Sequence, residues 1–98
     1  MDKNFELQGI EFEWDEEKYA VNLWKHNVKF EEAAEVFFDR FNIYGDASVE
    51  EERREYVVGF SYSAKLLFVV CVERGLRTRI ISARPATSQE INEYAEQF

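Results

Sequence analysis

The spacing of apolar residues predicts a first helix from Glu16 to His26. Asp15 before it is a favourable N-cap residue, and Asn27 after it stands where a left-handed C-cap residue is expected. We expect this helix to face the core through residues at i, i+3 and i+4, namely Ala20, Leu23 and Trp24. Residues at i, i+4, i+7 and i+8 form a separate polar stripe: Lys18, Asn22, Lys25 and His26.

Two more helices follow from the same spacing. From Phe30 to Phe38, apolar residues fill the positions i, i+3, i+4, i+7 and i+8 while glutamates occupy the other side, which predicts a core helix. After Pro85, the run from Thr87 to Glu90 fits a capping box. The terminal helix that it begins has an apolar stripe that includes Tyr94.

Runs of apolar and β-branched residues between these helices predict strands. Residues 10–14 alternate apolar and acidic side chains, residues 41–44 form a short strand, and residues 56–62 and 66–73 form two strands joined by residues 63–65. A last strand runs from Arg77 to Arg84 and stops at Pro85, which cannot donate to a sheet ladder. Residues 1–9 are expected to be a flexible terminus, and residues 45–52 an acidic loop.

The order strand, two helices, four strands, helix predicts an α+β fold. We expect the helices to pack on one face of an antiparallel sheet of four to five strands, because short connections between consecutive strands favour hairpins. With 98 residues, the chain is predicted to be a single domain, 1–98.

Cysteine usage and hydropathy bear on the compartment. The only cysteine, Cys71, lies within an apolar run and excludes a disulfide framework; with no signal peptide, this indicates a reducing cytoplasm. The longest apolar run, residues 66–72, is far shorter than the roughly 20 residues that span a bilayer. We therefore expect a soluble cytoplasmic protein with no membrane association.

Charge is distributed unevenly along the chain. The formal net charge of -8 argues against a simple nucleic-acid module. Yet the segment from Arg74 to Arg84 contains four arginines and no acid. Regular alternation would place Arg77 and Arg79 on one face of the last strand and Arg84 on the other. We hypothesise that these arginines bind an anion; pairing with acids such as Glu55 or Glu73 is the alternative.

Metal and nucleophilic chemistry are not indicated. One histidine and one cysteine far apart give no zinc-site spacing, the four glycines form no phosphate loop, and Cys71 lies mid-strand. His26, the lysines of the first helix and the arginine strand remain as candidates. Histidine exchanges protons near neutral pH, although His26 taken alone is expected only to complement the helix dipole. If the helix stripe and the arginine strand face the same side, they form a positive pocket for a phosphate.

Three motifs together resemble one known family. They are FEWDEEK at residues 12–18, KHNVKFEEA at residues 25–33 and RIISAR at residues 79–84. They resemble the BrnT family of bacterial type II toxins, and the resemblance runs from residue 12 to residue 94. That family commonly has glycine where this chain has Asn27, a change that preserves the capping role. The resemblance implies a compact RelE-like fold and an activity that requires neither a metal ion nor another cofactor.

The resemblance further implies an endoribonuclease toxin that inhibits translation. Its partner would be a BrnA-like ribbon-helix-helix antitoxin, two antitoxins binding two toxins, with DNA contacted only through the antitoxin. The RNA 2′-hydroxyl would attack the adjacent phosphate, whose developing charge the arginines would stabilise, with Trp14 stacking a base. The predicted catalytic residues are Arg79, Arg84, His26 and Lys25; the predicted substrate-binding residues are Trp14, Lys18, Asn22, Arg77 and Tyr94. The alternative, which the acidic balance favours, is a toxin-like module that binds its antitoxin without catalysis.

Overall fold

The computed structural model describes residues 1–98 and contains six strands in one sheet and three α-helices. In chain order these elements are β1 (Asp2–Leu7), β2 (Ile10–Asp15), α1 (Glu16–His26), α2 (Phe30–Glu35), β3 (Ile43–Asp46), β4 (Glu55–Phe60), β5 (Leu66–Arg74), β6 (Arg77–Pro85) and α3 (Ser88–Ala95). A short 3-10 turn, Val36–Phe38, continues α2. No helix is long and apolar enough to cross a membrane.

The sheet is mixed, with strand order β1-β2-β6-β5-β4-β3. Every neighbouring pair is antiparallel except β2 and β6, which run parallel over a short stretch where Phe12 pairs with Thr78 and Glu13 with Arg79. Strand β6 is therefore central, between the N-terminal hairpin and the β3–β5 meander. The α+β class is confirmed, whereas the purely antiparallel sheet of four to five strands is wrong.

The N-terminal residues form a strand and not the expected flexible terminus. β1 pairs with β2 along its whole length, from Asp2 opposite Asp15 to Leu7 opposite Ile10. The hairpin turn places Gly9 at φ +83°, in the left-handed region that glycine adopts without a steric penalty. This hairpin adds a sixth strand and brings Asp2 beside the sheet.

The main core lies between one face of the sheet and the helices α1 and α2. Trp14 and Phe30 are fully buried there, and their rings meet edge to face at 5.7 Å. The α1 caps are as predicted: the Asp15 side chain accepts from the backbone N–H of Lys18 at 3.0 Å, and Asn27 adopts φ 55°. The strand face towards α1 and α2 is called the core face below.

Helix α3 packs on the opposite face of the sheet. Val57 belongs to the core cluster, so Phe60, three residues on, points to the other face. The Phe60 ring meets the Tyr94 ring of α3 at 5.3 Å and 90°. The Thr87–Glu90 capping box that begins α3 is present as predicted. The expectation that all helices share one face is wrong, because the chain crosses to the opposite face after β6.

A bulge in β6 changes which side chains share a face. Ser82 pairs with Val70 and Ile80 pairs with Cys71, so Ile81 has no partner on β5. The alternation shifts at this point, and Ile80 and Ala83 both face the core. The arginines on either side of the bulge consequently lie on the same face, opposite the core, and not on two faces as regular alternation predicts.

Helix α1 packs against the free edge of β6 through Asn22. The pairing of β2 with β6 ends at Glu13, and further along β6 the Asn22 side chain binds the backbone of Ala83. Asn22 Nδ2 donates to the Ala83 carbonyl at 2.8 Å, and Asn22 Oδ1 accepts from the Ala83 N–H at 3.1 Å. This anchorage buries Asn22 and turns Trp24 outward, where it is 86% exposed. The predicted core stripe of α1 is therefore wrong for Ala20 and Trp24, which are exposed, and only Leu23 is partly buried.

Candidate functional site

Glu13 organises the cationic end of the arginine strand. Alternation in β2 places Phe12 and Trp14 in the core, so the Glu13 side chain lies on the opposite face, next to Arg79. Its carboxylate is only 7% exposed, and Arg79 Nη1 lies 2.5 Å from Glu13 Oε2. Arg77 Nη1 and Arg74 Nη1 lie 3.9 and 4.0 Å from the same carboxylate. These three arginines and Glu13 are called the arginine cluster below.

A second carboxylate, that of Asp2, also binds the guanidinium of Arg79. Its two oxygens accept from Arg79 Nη1 and Nη2 at 3.1 and 3.0 Å, the bidentate geometry that a phosphate also adopts. The hydrogen bond from Arg79 lowers the pKa of Asp2 below its usual value, and hydrogen bonds to Asp2 and Glu13 raise the pKa of Arg79. Arg79 is therefore 13% exposed and fully paired, whereas Arg77 remains 43% exposed.

Arg84 is engaged with α3. Its Nη1 and Nη2 donate to the two carboxylate oxygens of Glu90 at 2.8 and 2.9 Å, and its guanidinium carbon lies 4.1 Å from the centroid of the Phe68 ring. The hydrogen bond from Arg84 lowers the pKa of Glu90. Arg79 and Arg84 thus share a face but not a ligand, since each has its own carboxylate and they stand about 15 Å apart along an extended strand. This arrangement does not fit the expectation that Arg79 and Arg84 together hold the scissile phosphate.

The cationic stripe of α1 forms one wall of an open groove against β6. Lys18, Lys25 and His26 line it from the helix, and Ile81 and Ser82 line it from the bulge. The groove measures about 460 Å³. Its remaining wall residues are Asp15, Glu17, Val21 and Asn22. The helix stripe therefore meets β6 at the bulge, and the expected pocket between this stripe and the arginines is not formed, because no arginine lines the groove.

The groove and the arginine cluster adjoin each other on two strands. Asp15, in the groove, is two residues beyond Glu13 of the cluster, and Ile81, in the groove, is two residues beyond Arg79. A nucleic-acid strand that reached both would meet the exposed Arg77 at the cluster and Lys18 and Lys25 in the groove.

Two of the predicted substrate-binding residues are buried aromatic side chains. Trp14 is fully buried among Phe5, Tyr19 and Phe30, so it has no ring face to offer a base. Tyr94, on α3, is buried against the sheet, and its hydroxyl donates to Asp39 Oδ2 at 2.7 Å. These two predictions are corrected: both rings hold the fold together.

Asn22 is likewise engaged in the fold. Both ends of its amide are hydrogen-bonded to Ala83, so it lines the groove without a free polar group. Lys18, Lys25, His26 and Arg77 keep exposed side chains. These four are the predicted site residues that remain accessible to a ligand.

Sequence reasoning missed the acids that pair with the arginines. Asp2 falls in the expected flexible terminus and Glu13 in the strand of alternating apolar and acidic residues, whereas the anticipated acids, Glu55 and Glu73, are not the partners. The orientation of Glu13 can be inferred from the sequence, because an acid between Phe12 and Trp14 in a strand must lie opposite the core face. No cluster of three or more His, Cys, Asp or Glu side chains could hold a metal ion.

One comparison with known proteins shows the family of this chain, and a second shows a similar fold. The sequence profile described as "Ribonuclease toxin, BrnT, of type II toxin-antitoxin system" matches residues 14–90. The fold is similar to the crystal structure of the Brucella abortus ribonuclease toxin BrnT, with a TM-score of 0.57 and 20% sequence identity over 76% of this chain and 94% of that chain. No curated protein sequence matches this chain significantly. The profile match excludes β1 and all but the last two residues of β2.

Proposed function

We propose that this chain, which belongs to the BrnT family of ribonuclease toxins of type II toxin-antitoxin systems, is an endoribonuclease that cleaves RNA without a metal ion. The observation that carries the proposal is the placement of Lys18, Lys25 and His26 along one wall of an open groove, with the exposed Arg77 further along the same strand, β6. In a chain with a net charge of -8, a local concentration of cations on one side is the feature that suits a polyanion.

The reaction is a transesterification within the RNA. The 2′-hydroxyl oxygen attacks the adjacent phosphorus while the bond to the 5′-oxygen breaks, leaving a 2′,3′-cyclic phosphate and a 5′-hydroxyl. One proton leaves the 2′-hydroxyl and one is delivered to the departing 5′-oxygen. His26 lines the groove and supplies one of these two transfers, because imidazole is suited to proton exchange near neutral pH.

The cations of the groove and of the arginine cluster have separate tasks. Lys25, beside His26, stabilises the charge that develops on the scissile phosphate, and Lys18 and Arg77 hold flanking phosphates. Arg79 joins them only where a phosphate displaces Asp2 from its guanidinium. Arg84 acts through the position of α3 and touches no substrate.

RNA cleavage by the purified protein in EDTA tests this proposal. We expect cleavage by the wild type and a decrease of about 100-fold or more for two variants: His26→Gln, which removes the proton-transfer group, and Lys25→Ala, which removes a donor to the developing charge. Lys65→Ala is the matched control, an exposed lysine outside the groove, and should cleave normally. Circular dichroism of each variant verifies folding. Full activity of His26→Gln, or dependence on added Mg²⁺, would refute the mechanism.

A second candidate is a binding module with no catalysis, and an exposed acidic loop favours it. Residues 46–55 contain five acids against two arginines, and all five acids are exposed. Such a loop suits a basic segment of a partner. We propose that the partner is a BrnA-like ribbon-helix-helix antitoxin that binds in a complex of two toxins and two antitoxins in the cytoplasm.

The two candidates differ in what the free protein does to translation. An active nuclease inhibits translation in an extract and loses that effect when the antitoxin is added. A binding module forms the same complex, with the same mass by light scattering, but leaves both free and ribosome-bound RNA intact. Cleavage of neither RNA by the wild type would select the binding module.

A further inference from the structure

Trp24 projects from α1 into solvent. Because Asn22 is bound to the Ala83 backbone, the side of α1 that carries Trp24 points away from the sheet, and the indole is 86% exposed. Val21, one turn earlier on the same side, is 54% exposed. The two tryptophans of the chain thus differ in exposure, since Trp14 is fully buried.

The surroundings of Trp24 are cationic. Residues 18–30 contain three lysines and His26 and no acid, and all four of these side chains are exposed. Lys25 follows Trp24 directly, and Val21, one turn before Trp24, lines the groove that Lys18 and Lys25 flank. Glu17, two turns before Trp24, lines the groove with Asp15, and Glu16 and Glu31 line the neighbouring side of α1 with Ala20 and Leu23.

We propose that Trp24 is the stacking platform for a base of single-stranded RNA whose backbone follows the α1 groove, an inference that rests on the proposed nuclease function. Exposed aromatic rings beside a cationic groove are the usual means of binding single strands, because every base has a π-face and every nucleotide a phosphate. Trp24 would therefore stack the base that the sequence analysis assigned to Trp14, which is buried.

The local charge selects RNA over a protein partner. An antitoxin segment drawn to this chain by its net charge of -8 would be basic, and it would meet Lys18, Lys25 and Lys29 beside Trp24. RNA meets the same lysines with its phosphates. A basic partner is better matched by the acidic segment of residues 46–55, whose charge is opposite to that of the lysines beside Trp24.

A binding measurement with a non-cleavable probe isolates this role. The probe is a labelled 2′-O-methyl RNA oligonucleotide, which lacks the attacking hydroxyl, and its affinity is measured by fluorescence anisotropy. We expect Trp24→Ala to bind it at least about fivefold and up to about 150-fold more weakly, whereas Trp24→Phe stays within a few-fold of the wild type. Tyr44→Ala, which removes an exposed aromatic side chain from the edge strand β3, outside the groove, is the matched control and should bind normally.

Two further readouts separate stacking from other roles. Inorganic polyphosphate, which has phosphates but no bases, should bind wild type and Trp24→Ala equally. Oligonucleotide binding should also quench the emission of the exposed tryptophan, and that quenching should be absent in Trp24→Phe.

Two outcomes would overturn the inference: unchanged oligonucleotide affinity in Trp24→Ala, whether or not its antitoxin complex is weaker, or an equal loss of polyphosphate affinity. The nuclease proposal is judged separately, by cleavage of unmodified RNA. Cleavage with no dependence of binding on Trp24 refutes the stacking platform alone, and Trp24-dependent binding without cleavage refutes the nuclease alone.

Discussion

Replacing Arg79 by alanine is the perturbation whose effect the structure determines most directly. Arg79 is the closest partner of Glu13, at 2.5 Å, and the Glu13 carboxylate is 7% exposed. Removing the guanidinium leaves a buried carboxylate with poorer compensation. We therefore expect Arg79→Ala to destabilise the fold, so that a loss of cleavage in this variant would not by itself identify a catalytic residue.

The size of the effect follows from what remains around Glu13. Breaking a buried ion pair by removing one partner costs about 3–5 kcal/mol. Arg77 and Arg74 remain at 3.9 and 4.0 Å, but both are substantially exposed, so they recover only part of this. We expect a loss of about 3 kcal/mol in the free energy of unfolding. For a domain of this size that corresponds to a decrease in Tm of roughly 12–24 °C.

Urea denaturation of four proteins measures this: the wild type, Arg79→Ala, Glu13→Gln and the double variant. A coupling free energy of about 1–3 kcal/mol in the double-mutant cycle is expected for two groups in direct contact. Arg77→Ala is the matched control, an arginine on the same carboxylate at 3.9 Å and 43% exposed, and should cost less than about 1 kcal/mol.

The reasoning is refuted if Arg79→Ala unfolds at the same urea concentration as the wild type. In that event Glu13 is adequately compensated by the remaining arginines, and abolished cleavage in the stable variant would place Arg79 among the residues that hold phosphate. Destabilisation without coupling to Glu13→Gln would instead mean that Arg79 stabilises through other contacts.

Three other expectations concern stability and reactivity. The hydrogen bond from Arg84 lowers the pKa of Glu90 below its usual 4.5. The contribution of the Glu90 carboxylate to stability is therefore present above about pH 4.5 and is lost as the pH falls through the lowered pKa. When the free energy of unfolding is measured against decreasing pH, Glu90→Gln should lose less stability than the wild type. Asn22→Ala leaves the Ala83 N–H and carbonyl unpaired and should cost about 3 kcal/mol by urea denaturation. Burial raises the pKa of Cys71 to about 12, so a thiol reagent should label it only on unfolding, and fast labelling of the native protein would contradict its position.

The sequence predicted the features that depend on neighbours in the chain. The bounds of α1, the Asp15 and Asn27 caps and the Thr87 capping box arise from hydrogen bonds within a few residues, and all are present. The family resemblance rests on three short motifs in the sequence, and the profile match over residues 14–90 confirms it. Cys71 lies buried in its strand, as its apolar run indicated.

Only the tertiary structure decided which side of each element is buried and which charges meet. Periodicity shows which side chains share a face, but not which face another element covers, and the bulge at Ile81 and the anchorage of Asn22 depend on strands distant in sequence. These two features bring Arg79 and Arg84 to one face and turn Trp24 into solvent. The pairing of Arg79 with Asp2 spans 77 residues, and no local pattern encodes a contact between a terminus and a central strand.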